Sequence, residues 1–170
     1  MPARWGGGSG AYAIGLCRRY PHLRATVHDR PFVVPMAADK VNQAGLADSI
    51  ETVGGDFFAA AQLPGNHDVI LRSKVLHDWS EAKCREILRK CAQVLTSGGA
   101  VIIDELLVND GKTGPVPAAL MSLNRLIGTE GRNYTAAEYA AWLTELGCGE
   151  IRTVRFEAPS MNGAVLGRKP

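Results

Sequence analysis

Apolar residues Cys84, Ile87, Leu88, Cys91 and Leu95 fall at i, i+3, i+4, i+7 and i+11, one face of a helix, and predict a helix over residues 80–95. Ser97-Gly98-Gly99 is placed to stop it, and the near-continuous apolar run at 100–107 reads as a strand covered on both faces. The same reading predicts a short strand at 1–5, a helix at 9–20 stopped by Pro21, a strand at 24–29 and a turn at 31–35. A helix at 36–44 ended by Gly45 follows, then strands at 50–53 and 68–73. Helices are expected at 118–127 and 135–146, the second opened by a capping box of Thr135 and Glu138. Two strands, 150–157 and 163–167, close the chain, with Asn162-Gly163 as the turn signal between them.

Strands alternating with helices predict an α/β fold with a doubly wound, Rossmann-like parallel sheet. The last two strands have no helix between them, so they should add an antiparallel hairpin at the edge. A chain of 170 residues reads as one domain, able to bury roughly 70% of its unfolded surface. The strand at 1–5 is short for a position in the middle of such a sheet, spanning at most about 17 Å. The chain therefore reads as beginning inside a larger protein, or with an unusual start.

Composition narrows the function classes. Nineteen basic and 17 acidic residues give a net charge of +2, no footprint for nucleic acid or an anionic membrane surface. Arg18, Arg19 and Arg24 read as a solvated helix end, where cations also favour the helix dipole. No stretch approaches the ~20 apolar residues of a membrane span, and no signal peptide is visible. Cys17, Cys84, Cys91 and Cys148 lack CxxC spacing, so no zinc knuckle, redox pair or other metal site is expected. Buried free thiols and a reducing cytoplasm are the simplest setting.

The candidate chemistry begins at Trp5-Gly-Gly-Gly-Ser-Gly-Ala11, a glycine-rich turn running straight into an amphipathic helix. Backbone can approach a ligand closely at such a turn, and the helix start offers N–H groups to a negative charge. Asp29 ends an apolar run about twenty residues on, where a carboxylate suits a ribose diol. Together these read as half of a nucleotide-type cofactor site. Gly8-Ser-Gly10-Ala-Tyr-Ala13 also satisfies a loose dinucleotide fingerprint, so the pattern alone leaves the cofactor open.

Gly6-Gly-Gly-Ser-Gly10, Asp29, Gly54-Gly-Asp56-Phe57-Phe58 and Val75-Leu-His77-Asp-Trp79 occur in the order seen in small-molecule O-methyltransferases. The chain resembles the subfamily of caffeic acid and acetylserotonin O-methyltransferases, over residues 6–169, corresponding to the family's C-terminal catalytic domain. The closing hairpin agrees, since dinucleotide dehydrogenases usually continue with a sixth parallel strand. The resemblance implies S-adenosylmethionine as cofactor and a small aromatic hydroxyl compound as acceptor. It implies that Gly6, Gly8 and Gly10 lie against the cofactor's methionine part and that Asp29 holds the ribose. Asp56 accepts from the adenine amino group, Phe57 lies against the base, and Ser73 lines the cofactor. His77 is the general base and Glu105 the carboxylate that orients it, while Asp104 faces the other way along the strand. Met121 and Asn124 line the acceptor pocket.

A free phenol and a free imidazole differ by about 3.5 pKa units, about 4.8 kcal/mol, so the proton must leave as the oxygen attacks or from a phenol already acidified. Bland roles remain beside these: Asp56 as a turn former, either Phe57 or Phe58 as core, Asp78 as a helix cap with Glu81, and Trp79 as packing.

Four departures from the family pattern stand out. Arg4 replaces an acid before the glycines, and Arg30 replaces an apolar residue at the cofactor. Asn133 stands where a second carboxylate usually flanks the histidine; an amide there can still hydrogen-bond His77 but brings no charge. The helical N-terminal domain, which builds the homodimer and closes over the acceptor, is absent, so apolar surface should be exposed. The rival readings are a non-catalytic cofactor-binding or partner-binding remnant, and a nicotinamide dehydrogenase.

Overall fold

The computed structural model describes residues 7–60 and 63–170. The strand expected at 1–5, Arg4 and Gly6 lie outside the described residues. The chain divides into two compact units, Arg4–Pro64 and Gly65–Pro170.

In the first unit, α1 (Ala11–Arg19) leads to β1 (Ala25–Asp29), and α2 (Val34–Gln43) to β2 (Ile50–Gly54). The strands pair in parallel, from Ala25 opposite Ile50 to Asp29 opposite Gly54. Cys17 of α1, Val27 of β1, Ala37 and Val41 of α2, and Ile50 of β2 form one buried cluster. Burial of these faces stabilises the unit by roughly 1.5–3 kcal/mol per large side chain. Helix α2 starts two residues earlier than the sequence predicts, because Pro35 occupies its first turn, where a missing N–H costs nothing. Gly45 follows its C-cap with φ 68°, the left-handed conformation expected there.

The second unit runs β3 (His67–Ser73), a 3-10 turn (Leu76–Asp78), α3 (Glu81–Val94), β4 (Leu95–Glu105), α4 (Val116–Gly128), α5 (Ala136–Glu145), β5 (Gly149–Ala158) and β6 (Met161–Arg168). Its sheet has the order β3-β4-β6-β5. Strands β3 and β4 are parallel, whereas β6 runs antiparallel to both β4 and β5. This is the reversed ending expected from the sequence. Helix α3 buries Cys84, Ile87, Leu88 and Cys91, the face its periodicity marks. All four cysteines of the chain are buried and free.

Two turns also differ from expectation. Strand β4 takes in Ser97-Gly98-Gly99, where Gly98 N–H donates to the Lys169 carbonyl at 2.9 Å. Glycine here accommodates an irregularity in the strand rather than a separate turn, and the β3–β4 register shifts at the same level. The closing turn is Pro159-Ser160, with Ala158 opposite Met161, and Asn162 and Gly163 lie inside β6. The Asn162 side chain is used elsewhere: Oδ1 accepts from Leu107 N–H at 2.7 Å and Nδ2 donates to the Leu107 carbonyl at 2.9 Å.

The capping box forms in full, Thr135 Oγ1 accepting from Glu138 N–H at 3.0 Å and Glu138 Oε2 accepting from Thr135 N–H at 2.7 Å. Burial opposes ionisation of Glu138, but hydrogen bonds from Arg132, Thr135 and Lys112 outweigh it and hold the carboxyl at about 2, against 4.5 ordinarily. A folded-state value below the unfolded one gives stability that is complete above about pH 4.5 and lost as pH falls toward about 2. Glu138→Gln is therefore expected to flatten this part of the acid limb in urea unfolding followed from pH 5 to 2. An unchanged limb would show that the acid sensitivity resides elsewhere.

Helix α4 differs from the others in leaving Val116, Leu120, Leu123, Leu126 and Ile127 exposed. No helix among the described residues is long and apolar enough to cross a membrane.

Candidate active site

The glycine turn of the first unit is fastened to the end of β1. Gly7 N–H donates to the His28 carbonyl at 3.1 Å, and Gly8 N–H to Asp29 Oδ2 at 2.7 Å. Asp29 Oδ1 accepts from Arg30 N–H at 2.7 Å, and the side chain is 2% exposed. The carboxylate thus shapes the turn, with one lone pair left on each oxygen. The turn's glycines serve different ends. A Cβ on Gly7 would lie 2.5 Å from Val27 Cγ1, so this position must be bare for the turn to reach the strand. Gly8 has φ 54°, and no atom of the described residues lies within 4 Å of where a Cβ would project.

Gly7→Ala is expected to cost about 1–3 kcal/mol by overpacking. Thermal unfolding with and without S-adenosylhomocysteine checks it, and an unchanged midpoint would show that the turn yields freely.

At the end of β2, Asp56 Oδ1 accepts from Phe58 N–H at 2.8 Å and from Ala59 N–H at 3.4 Å. The turn-forming role is real, and Oδ2 remains for another donor. Phe57 is 1% exposed with its ring 5.1 Å from that of His28, so it packs within this unit, while Phe58 is half-buried. Among the described residues, the donor and acceptor set of the turn, Asp29 and Asp56 fits a ribose, an amino-bearing base and a cationic amino acid part.

In the second unit the 3-10 turn carries His77, and several elements hold it. Glu105, at the end of β4, is 1% exposed. Its Oε1 accepts from Val75 N–H at 3.0 Å and Leu76 N–H at 3.1 Å, and its Oε2 lies 2.5 Å from His77 Nδ1. A carboxylate oxygen accepts, so Nδ1 carries the hydrogen and the lone pair of the neutral ring lies on Nε2. That nitrogen is buried with no hydrogen-bond partner among the described residues. From α3, Cys84 Sγ donates to the Leu76 carbonyl at 3.1 Å, and burial pushes the thiol up to about 12. On the other side Gly131 packs so closely that a Cβ would collide with the His77 carbonyl.

Asp78 is not the helix cap the sequence suggests. Ser80 stands at the N-cap of α3, and Asp78 is 3% exposed, its Oδ1 2.8 Å from Arg125 Nη1 of α4 and 3.6 Å from His77 Nε2. Asn133 donates from Nδ2 to the Leu106 carbonyl and not to His77. A backbone acceptor beside β4 captures the amide, and Asn133 Oδ1 is buried without a hydrogen-bond partner among the described residues. Trp79 is a packing residue, as expected, and its carbonyl accepts from Tyr134 Oη at 2.7 Å. Ser73 Oγ donates to Asp104 Oδ2 at 3.0 Å, so the neighbours Asp104 and Glu105 take different partners. Met121 precedes Arg125 by one turn and shares its side of α4; Asn124 is exposed.

Gly7, Gly131 and Arg125 are the residues that sequence reading missed. Three consecutive glycines conceal which one must be bare, and an ion pair between residues 78 and 125 leaves no local trace.

The family model described as an O-methyltransferase domain matches residues 4–148. Among curated proteins, 3-hydroxy-5-methyl-1-naphthoate 3-O-methyltransferase of Streptomyces sahachiroi is 54% identical over 164 residues, 96% of this chain and 47% of that protein. Among solved structures, human N-acetylserotonin methyltransferase in complex with S-adenosylmethionine superposes with TM-score 0.86 at 33% identity, over 97% of this chain and 46% of that one. An O-methyltransferase family 2 protein from Planctomyces limnophilus, in complex with apigenin, gives TM-score 0.87 at 34% identity, over 97% and 49%. The chain spans about half the length of the relatives it matches.

Proposed function

The chain belongs to the family of O-methyltransferase domains, and from that premise we propose that it binds S-adenosylmethionine and transfers the methyl group to a hydroxyl of a small aromatic acceptor, with His77 as general base. The observation that carries the reading is the buried Nε2 of His77, without a hydrogen-bond partner among the described residues, on a ring whose other nitrogen is fixed by Glu105.

Asp29 and Asp56 hold the ribose and the adenine amino group, and Gly6, Gly8 and Gly10 give the methionine part its close approach. Phe57 lies against the base, and the family resemblance assigns Ser73 to the cofactor's lining. When bound, S-adenosylmethionine supplies a methyl group made electrophilic by the sulfonium. His77 Nε2 takes the acceptor's hydroxyl proton as that oxygen attacks, and Glu105 stabilises the imidazolium that forms. Holding the oxygen in line supplies the remaining acceleration. Met121 and Asn124 contact the acceptor's ring. A cytoplasmic setting and a homodimer completed by an N-terminal domain accompany this reading.

A second reading is a cofactor-binding module without turnover. The capture of Asn133 by the Leu106 carbonyl favours it, because His77 then has Glu105 as its sole ring partner among the hydrogen bonds of this unit.

Calorimetry tests the cofactor. S-adenosylhomocysteine is expected to bind, with affinity lowered about tenfold or more in Asp56→Ala. Tight NAD binding with no response to S-adenosylhomocysteine would remove the reading.

A further inference from the structure

The contact between α4 and the histidine turn carries an inference that rests on the reading of His77 as the base. Asp78 is a buried carboxylate 3.6 Å from Nε2, the nitrogen that must keep its lone pair. A buried carboxylate at that distance favours the imidazolium, which has no lone pair to offer. Arg125 Nη1 reaches the same oxygen, Oδ1, at 2.8 Å. We propose that Arg125 is a positioning residue, its guanidinium engaging the Asp78 carboxylate so that Nε2 of His77 stays open to the acceptor's hydroxyl proton.

Neighbouring charged groups of the second unit are paired or face elsewhere. Glu105, from β4, acts on Nδ1. Asp104 faces Ser73, and Lys83 and Arg132 are paired with Glu130 and Glu138. Cys84, Tyr134 and Tyr139, packed around the turn, are raised by burial and stay neutral. Arginine suits the role because its charge persists at every working pH and its planar fork holds a carboxylate in a fixed direction.

The test is a mutant cycle read in two ways. Methyl transfer to a simple phenol is expected to fall about 10–100-fold in Arg125→Gln, to recover to within a few-fold of the parent in the double variant Asp78→Asn with Arg125→Gln, and to be largely kept in Arg125→Lys. A merely structural ion pair predicts no recovery in the double variant. Independently of turnover, 15N spectra of the ring nitrogens, with His77→Asn identifying the signal among four histidines, should show at neutral pH a neutral ring protonated at Nδ1 in the parent. Arg125→Gln should shift the signal toward imidazolium, and the double variant should shift it back. Identical His77 spectra in the parent and Arg125→Gln overturn the proposal. If His77→Ala itself transfers methyl at the parent rate, the base reading fails instead, whatever the spectra show.

Discussion

His77→Ala is expected to lower methyl transfer from S-adenosylmethionine to a phenolic acceptor by about 10²–10⁴-fold, the usual contribution of a positioned general base. Affinity for S-adenosylhomocysteine should stay within about twofold, because the groups assigned to the cofactor lie on other residues. The expectation follows from the asymmetry of the ring. One nitrogen is committed to Glu105 at 2.5 Å and the other is buried without a hydrogen-bond partner among the described residues. A structural histidine with two satisfied nitrogens would not predict this. A loss that disappears when the acceptor is supplied already ionised, at high pH, would support the base role further, since the variant lacks only a proton acceptor. Equal turnover by variant and parent would end the assignment of His77.

The second large effect concerns Glu105. Its carboxylate accepts from two backbone N–H groups and from the histidine ring while 1% exposed. Glu105→Ala strands all three donors in the interior, and at about 1–3 kcal/mol for each unsatisfied group the variant should unfold at markedly lower denaturant. Glu105→Gln separates folding from chemistry. Its amide oxygen can still accept from Val75 and Leu76, so much of the stability should remain. Its NH2 group then faces Nδ1, which must accept instead of donate, and the ring hydrogen moves to Nε2. Turnover should fall about as far as in His77→Ala. A Glu105→Gln protein that is both folded and fully active would show that ring orientation does not govern the reaction. Denaturant melts and initial rates on the same preparation decide between these outcomes.

The sequence carried the parts of the fold that depend on period and punctuation. Helix α3 could be read from its buried face, Thr135 and Glu138 from their spacing, and the reversed final strands from the missing helix between them. The resemblance singles out His77 and Glu105, and the fold brings their side chains together, each at or just beyond a strand end. What the sequence hid are interactions between residues distant along the chain. Asn162-Gly163 has the composition of a tight turn, yet the Asn162 amide pairs with the Leu107 backbone and the chain turns at Pro159-Ser160. Asp78 has the spacing of a helix cap, yet Ser80 stands at the N-cap of α3 and the Asp78 carboxylate lies 2.8 Å from Arg125. Asn133 stands near the histidine turn but spends its amide on Leu106. In each case a local motif was outcompeted by a partner that only the folded chain brings near.

The most direct measurement is a crystal structure of the protein with S-adenosylhomocysteine and a phenolic acceptor bound together. The account predicts the acceptor's hydroxyl oxygen within about 3 Å of His77 Nε2, with Glu105 still on Nδ1. A phenol whose hydroxyl lies away from that nitrogen, with no water linking the two, would contradict it.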